Sequence, residues 1–146
     1  MNADNVLILW ELMENDVSIK YLIANEQDKR WGVTVSTVGY QHIIPNSGYP
    51  PKNHPAAYFF STRRGRILDE YVLLYIAHGS GYFSFFDGED VEIKAGTMIL
   101  LLPGEWHNYK PDYHTGWDEY WIGFNGRHID DHVINTFFDI RKTIFN

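Results

Sequence analysis

The stretch Gly96-Thr97-Met98-Ile99-Leu100-Leu101-Leu102-Pro103-Gly104-Glu105-Trp106-His107 decides the fold of this chain. Its centre, residues 98–102, is a short apolar run between turn-forming residues, which is typical of a strand buried on both faces. Ala95-Gly96 turns the chain before this strand, and Pro103-Gly104 turns it again afterwards. The pattern therefore predicts a buried strand with a tight turn at each end, followed by a further strand that begins at His107.

Short strand-like segments lie on both sides of this stretch. Residues 31–38 alternate with a period of two and are rich in β-branched side chains, as half-buried strands are. Asp87-Gly88 is a strong hairpin dipeptide, and Gly79-Ser80-Gly81 predicts a turn between two further strands. The remaining predicted strands cover residues 58–61, 71–77, 82–86, 91–94, 107–110 and 119–124. Many short strands separated by Gly and Pro indicate a β-sandwich or barrel.

Helical spacing replaces this alternation towards both ends of the chain. Apolar residues recur at helical spacing at Val17, Tyr21 and Ala24, and again at Ile129, Val133 and Phe137. We therefore divide the chain into a helical or mixed segment at 1–30, a barrel at 31–126 and the start of a helical region at 127–146. Within the barrel, residues 44–55 contain four prolines and are predicted to form an ordered loop across a barrel mouth.

Composition limits the classes of protein to which the chain can belong. Its 146 residues fit one domain, and the absence of cysteine excludes disulfides, thiolate catalysis and cysteine-ligated zinc. The formal net charge of −7 opposes binding to phosphate backbones, so any contact with DNA is expected from another part of the protein. No apolar run reaches the ~18 residues that a membrane span needs. The apolar run at residues 6–10 has no basic residues before it, unlike a secretory signal, so we expect it to be part of the fold. We expect a cytoplasmic protein that does not bind membranes.

The stretch at 96–107 resembles the second half-motif of the cupins, in which a glycine opens a strand, a Pro-Gly turn closes it and a histidine follows. Together with Tyr71-Val72-Leu73-Leu74-Tyr75-Ile76, Gly79-Ser80-Gly81 and Gly116-Trp117-Asp118-Glu119-Tyr120-Trp121-Ile122-Gly123-Phe124, it is similar to the amino-terminal sensor domain of AraC-family transcription regulators. The resemblance covers residues 31–126. It implies an all-β fold with flanking helices, in the form of a cupin-like double-stranded β-helix or jelly-roll barrel.

The resemblance also implies a function. Members of the family bind a small-molecule effector inside the barrel, form homodimers through later helices and read DNA with a separate carboxy-terminal helix-turn-helix domain. The sequence ends before both later parts, so we expect it to hold the sensor alone and to control transcription through the missing domain. The resemblance to sugar-binding members of the family implies a mono- or oligosaccharide as the effector. The many aromatic rings fit either a pocket that stacks on a planar or sugar ligand or simply an aromatic core, and composition does not separate the two.

Catalysis and metal binding are not expected. Enzymatic cupins bind a metal with a His-x-His pair and a carboxylate on an early strand, together with a later histidine. His107 stands at the later position, but no His-x-His occurs, and His78 is the only histidine within residues 71–86. A single histidine supplies too few ligands for such a metal. Ser80 lies in a predicted turn and not in a nucleophile elbow, so we expect neither an enzyme nor a bound cofactor.

A sugar-binding member of the family supplies the expected ligand contacts. There the ligand meets an arginine before the first buried strand, a tyrosine after the Pro-Gly turn, and a polar residue two positions before a tryptophan. The corresponding residues here are Arg64, Tyr109, Glu119 and Trp121. Arg63 and Arg66 compete with Arg64 for the first position. The family member has a histidine where this chain has Glu119, whose carboxylate can accept hydrogen bonds from two hydroxyl groups of a polyol.

Two more residues complete the expected ligand site. Tyr49, in the proline-rich loop, is the natural candidate for a stacking ring, and His107 follows the Pro-Gly turn. Two alternatives remain open. The chain could be a stand-alone metal-dependent cupin enzyme, such as a sugar isomerase or a dioxygenase, or a dimerisation module whose barrel is filled with side chains.

Overall fold

The computed structural model describes residues 16–51, 61–85, 88, 90–135 and 142–146, and these residues form nine strands and two helices. The strands are β1 (Asp16–Tyr21), β2 (Thr34–Ile43), β3 (Arg66–Ile67), β4 (Tyr71–Phe85), β5 (Val91–Lys94), β6 (Met98–Leu101), β7 (Trp106–Pro111), β8 (Trp117–Asn125) and β9 (Ile144–Phe145). The helices are α1 (Glu26–Lys29) and α2 (Arg127–Ile134). Neither helix has the length and apolar character needed to cross a membrane, within the part of the chain described.

The strands form two antiparallel layers that share β4. One layer has the order β1-β2-β8-β4-β6-β9, and the other joins β3, β7, β4 and β5. Residues 71–79 of β4 pair with β8, whereas residues 81–85 pair with β7. The long strand therefore passes from one layer to the other, and the two layers face each other across a shared interior.

Apolar side chains that point inward from both layers form the core. Alternate residues of a strand point to opposite faces, so one face of each strand contributes to it. The buried members are Ile43, Val72, Leu74, Ile76, Phe83, Ile93, Ile99, Leu101, Tyr109 and Trp117. Burying an aliphatic or aromatic side chain of this size contributes about 1.5–3 kcal/mol. This core holds the two layers together.

The passage of β4 between the layers depends on Gly79. Its φ of +79° lies in the left-handed region that favours glycine, and a β-bulge between Ile76 and His78 precedes it. A Cβ at this position would lie 2.1 Å from the carbonyl oxygen of Gly116. The turn predicted at Gly79-Ser80-Gly81 is therefore wrong, because the strand bends there without ending and its pairing continues into the second layer.

The other tight turns and α2 agree with the sequence patterns. Ala95-Gly96 and Pro103-Gly104 both turn the chain, and both glycines have a positive φ. The helix predicted after Gly126 is α2. Phe137 of that helical pattern lies outside the described residues, as do residues 58–60 of a predicted strand and the apolar run at residues 6–10.

Three expectations near the ends of the chain are wrong. The helical spacing of Val17 and Tyr21 is coincidental, because these residues belong to β1, which pairs along β2. The strand expected from residue 31 begins only at Thr34, and Trp31 is exposed. The end of the chain does not continue the helical region, because β9 pairs with the edge of β6. Pairing between distant segments overrides the local pattern in each strand.

Gly79→Ala is expected to lower the free energy of unfolding by about 3 kcal/mol, because the left-handed backbone and the nearby Gly116 both oppose a side chain. Gly96→Ala is the matched control. Its φ of +94° is also left-handed, but a Cβ there meets nothing within 4 Å, so we expect a loss of about 1 kcal/mol. Urea denaturation measures both values. Equal losses of unfolding free energy in the two variants would show that the close approach of Gly116 adds nothing to the cost of a side chain at Gly79.

Candidate ligand-binding site

Two polar side chains lie next to each other inside the barrel. Glu119 is on β8 and pairs directly with Gln41 on β2 and with Ile76 on β4. Directly opposed residues of antiparallel strands have Cβ atoms about 4.5–5.5 Å apart and point to the same face. Gln41 is 0% exposed and Glu119 is 2% exposed. The pair therefore forms a polar patch on an otherwise apolar inner wall.

The polar atoms of this patch are not matched by the protein. Gln41 Oε1, Gln41 Nε2 and Glu119 Oε2 are buried and have no hydrogen-bond partner among the described residues. The indole nitrogens of Trp117 and Trp121, on the same strand as Glu119, are also buried and have no hydrogen-bond partner among the described residues. Leaving one such group unsatisfied costs about 1–3 kcal/mol, and most buried polar groups in proteins have partners. Several unmatched atoms in one place indicate a site that is completed by something else.

Burial controls the protonation state of Glu119. Desolvation raises the pKa of its carboxyl group to about 8, and the positive charge of Arg66 opposes this shift only in part. The carboxyl group is therefore mostly neutral at pH 7. A neutral carboxyl group donates one hydrogen bond and accepts others, and the Gln41 amide does the same. Together they present both donors and acceptors without a charge.

Arg66 on β3 organises the opposite wall. Its Nε donates to His107 Nε2 at 3.2 Å, and its Nη2 donates to the Tyr109 hydroxyl at 2.5 Å. The guanidinium carbon also lies 5.3 Å from the centre of the Tyr109 ring. Because β3 pairs with β7 at Arg66 and His107, these contacts follow from the register of two strands. Arg66 thus fixes the positions of two of the residues expected at the site.

His107 is neutral and both of its ring nitrogens are engaged. Burial, followed by the charge of Arg66, lowers the pKa of His107 to about 4. Its Nδ1 lies 3.3 Å from the Glu105 carbonyl oxygen, to which it donates, while Nε2 accepts from Arg66. Burial likewise raises the pKa of Tyr109, whose hydroxyl stays protonated. Three titratable groups near the Arg66 guanidinium, His107, Tyr109 and Glu119, are therefore largely neutral at pH 7.

Aromatic rings surround these polar groups. The Tyr109 ring is 5.8 Å from Trp117, and the Tyr49 ring meets Trp117 edge-on at 6.3 Å. Burial, followed by the charges of Glu119 and Tyr109, raises the pKa of Tyr49, so Tyr49 lies in the same interior as these two residues. Trp121 packs over Gly39, where a Cβ would lie 2.0 Å from the indole ring. Gly39 therefore provides the space that Trp121 occupies.

The structure brings five of the six expected residues to one interior, and Arg64 is the exception. Arg64 is exposed, and its carbonyl oxygen accepts a hydrogen bond from Trp106 Nε1 at 2.8 Å. Arg63 is exposed as well, so Arg66 is the arginine of the three that reaches His107 and Tyr109. The motif could not fix this choice, because it depends on the register of the short strand β3.

Gln41 is the residue that the sequence analysis missed. Continuing the alternation of β2 from Thr37 places Gly39, Gln41 and Ile43 on one face, and Thr37, Gln41 and Ile43 are all buried. The sequence does contain a signal for this residue: Gln41 falls on the strand face whose other side chains are buried. Its importance appears only when β2 is paired with β8, because only then does Gln41 lie beside Glu119.

The sequence is similar to a family of ligand-binding domains and to a transcription activator. Residues 52–144 match the family described as AraC-like ligand binding domain. The lactose operon transcription activator of Staphylococcus xylosus is 30% identical over 118 residues, which cover 74% of this chain and 37% of that protein. The chain thus spans little more than a third of the length of this curated relative.

Solved structures that are similar to this chain have low sequence identity to it. The protein YhaK from Escherichia coli superposes with a TM-score of 0.52 at 12% identity, covering 76% of this chain and 45% of that one. A cupin superfamily protein from Desulfitobacterium hafniense superposes with a TM-score of 0.47 at 11% identity, covering 75% and 78%. The two antiparallel layers of strands, together with the family match, confirm the predicted cupin-like jelly roll. With its family match over more than half its length, the chain belongs to the family of AraC-like ligand-binding domains.

Proposed function

We propose that this chain is the effector-sensing domain of an AraC-type transcription regulator and that its effector is a neutral mono- or oligosaccharide bound inside the barrel. The observation that carries the proposal is the buried pair Gln41 and Glu119, with three polar atoms that lack partners among the described residues. A ligand that supplies hydroxyl groups would satisfy these atoms. The expected contacts are Gln41, Tyr49, Arg66, His107, Tyr109, Glu119 and Trp121.

The chemistry of the pair favours hydroxyl groups. A sugar hydroxyl donates and accepts at one oxygen, and the neutral Glu119 carboxyl and the Gln41 amide do so as well. The rings of Tyr109 and Trp117 add apolar faces, such as those on which sugars stack. The name of the Staphylococcus xylosus relative refers to a lactose operon, which supports a sugar as the effector class.

The hydrogen bonds of His107 favour a role in binding over a role in catalysis. The nitrogen that a metal would need is occupied, because His107 Nε2 accepts from Arg66. Among the described residues, no three His, Asp or Glu side chains are grouped as metal ligands. These observations favour a sensor over a metal-dependent isomerase or dioxygenase. Tightly bound iron, zinc or manganese at one equivalent would reverse that preference.

The role in transcription is proposed for the longer protein. We place the sensor in a cytoplasmic homodimer. We assign DNA binding to a carboxy-terminal domain, because the net charge of this chain, −7, is unsuited to contact with DNA. An effector that binds one arrangement of the regulator more tightly than another shifts the population between them. A pure dimerisation module with a filled barrel would gain nothing from unmatched polar atoms in its interior, and this observation weighs against it.

Gln41→Leu is expected to separate ligand binding from stability. The substitution keeps the approximate size but removes two unmatched buried atoms, so the free domain should be as stable as the wild type or more so. Affinity for the bound sugar should fall at least tenfold. We would measure thermal shifts and calorimetric affinity with arabinose, xylose, galactose, glucose, lactose and galacturonic acid. A sugar at 100 times its dissociation constant adds about 2.7 kcal/mol.

The control for this variant is Gln27→Leu, on the exposed face of α1, which should leave sugar affinity unchanged. Unchanged affinity in Gln41→Leu would place the sugar elsewhere. A panel without any stabilising sugar would reject the sugar proposal and favour a different effector or the filled barrel.

Arg66→Gln and Arg64→Gln form a second matched pair. Loss of the charged hydrogen bonds to His107 and Tyr109 should weaken sugar binding roughly ten- to hundredfold. Arg64→Gln changes an exposed side chain and should alter the affinity less than twofold. Calorimetry with the sugar found above decides between them. A larger loss of sugar affinity in Arg64→Gln than in Arg66→Gln would identify Arg64 as the ligand contact.

The pKa of Glu119 predicts how stability depends on pH. Its folded pKa of about 8 exceeds the ordinary value of 4.5, so the folded state holds a proton that the unfolded state has lost. Stability should therefore fall as the pH rises from 6.5 to 8, by roughly 1.4 kcal/mol per pH unit at most. The pKa of His107 is lowered from 6.5 to about 4 in the folded state. Its contribution to stability therefore increases as the pH rises from 4 to 6.5, which is below this window and opposite to the effect of Glu119.

Urea denaturation at several pH values measures this effect. Glu119→Gln should flatten the profile between pH 6.5 and 8, whereas Glu92→Gln, at an exposed position of β5, should leave it unchanged. Identical profiles for the wild type and Glu119→Gln would mean that Glu119 ionises normally in the folded protein.

A further inference from the structure

A cavity of about 180 Å³ lies between β4, β6, β7 and the residue that precedes β9. His107 lines it and also belongs to the candidate sugar site, but neither Gln41 nor Glu119 is among its lining residues. It is thus a compartment adjacent to the proposed sugar site.

Aromatic and aliphatic side chains form most of its wall. The rings of Phe83 and Phe85 meet at 72° with centres 4.7 Å apart, and the His107 ring lies parallel to Phe83 at 6.4 Å. Both nitrogens of His107 are engaged, so the neutral imidazole adds another flat ring to the lining. Glu105 also lines the cavity but is exposed, which places it at the rim. The interior therefore suits an uncharged, flat and apolar group.

One polar atom interrupts this wall. Thr143 is 4% exposed and lines the cavity, and its Oγ1 has no hydrogen-bond partner among the described residues. Its backbone is fixed independently, because the carbonyl oxygen of Thr143 accepts from the Leu100 amide at 2.8 Å. The unmatched hydroxyl is the kind of group that a ligand hydroxyl would satisfy.

We propose that this cavity is a second ligand site, which binds a small hydroxylated aromatic molecule of about the size of phenol. An apolar cavity of about 150 Å³ is large enough to bind benzene. The aromatic ring lies against Phe85 and Phe83, and its hydroxyl group forms a hydrogen bond with Thr143 Oγ1. The proposal does not depend on sugar binding at Gln41 and Glu119.

The test compares phenol with toluene, which has the same ring and no hydroxyl group. Both probes are titrated into the isotopically labelled protein, and binding is followed by NMR shifts of backbone amides. We expect both to perturb residues around the cavity, such as Leu100 and Thr143, and phenol to bind about three- to tenfold more tightly.

Two variants locate the site. Thr143→Val keeps the shape and removes the hydroxyl, so phenol should bind no better than toluene, while toluene binding stays unchanged. Leu102→Phe adds volume at a lining position and should weaken both probes at least tenfold. Thr34→Val, at the start of β2, is the control and should keep the preference for phenol.

Three outcomes would overturn the proposal: absence of saturable binding by either probe, a preference for phenol that survives Thr143→Val, or probe binding that is unaffected by Leu102→Phe. Displacement of phenol by the sugar that binds at Gln41 would show one shared site in place of two. If no sugar in the panel stabilises the protein, the sugar proposal is rejected, but the binding of phenol and toluene to the cavity is not affected. The two proposals are therefore tested independently.

Discussion

The shared strand β4 is the constraint on which the rest of the structure depends. Its residues 71–79 belong to one layer and residues 81–85 to the other, so the layers cannot separate without breaking a continuous strand. The bend requires Gly79, because no side chain fits between its Cα and Gly116. This connection brings β2 and β8, with Gln41 and Glu119, into the same interior as β3 and β7, with Arg66. The composition of the site is thus a consequence of how β4 bends.

The interior combines two opposing requirements. The apolar core stabilises the fold by about 1.5–3 kcal/mol for each buried side chain. Unmatched polar atoms at Gln41, Glu119 and Thr143 each remove about 1–3 kcal/mol of that gain. A barrel selected for stability alone would replace them with aliphatic side chains of the same volume. Their presence in a core that consists mainly of apolar side chains favours ligand recognition as the reason for the composition.

The sequence predicted the parts of this structure that depend on local chemistry. Tight turns at Gly96 and Gly104 follow from residue type, and the buried strand between them follows from its apolar run. The family motif indicated Tyr109 and Glu119, and both side chains are buried in the barrel. Features that depend on pairing between distant segments were inaccessible. The strand β1 was obscured by accidental helical spacing, Arg66 needed the β3–β7 register, and Gln41 needed β2 placed beside β8.

Electrostatics then determines how such a site discriminates between ligands. Burial lowers the pKa of His107 to about 4 and raises that of Glu119 to about 8, so both groups are largely uncharged at pH 7. Selectivity must then come mainly from the geometry of hydrogen bonds. Sites built to pair with ligand hydroxyls reject analogues that lack them by factors of about 10⁴–10⁵, because buried polar groups are otherwise left unpaired. With Glu119 and His107 neutral and the donors and acceptors fixed, the proposed sugar site would distinguish ligands by the positions of their hydroxyl groups, which is the property in which sugars differ from one another.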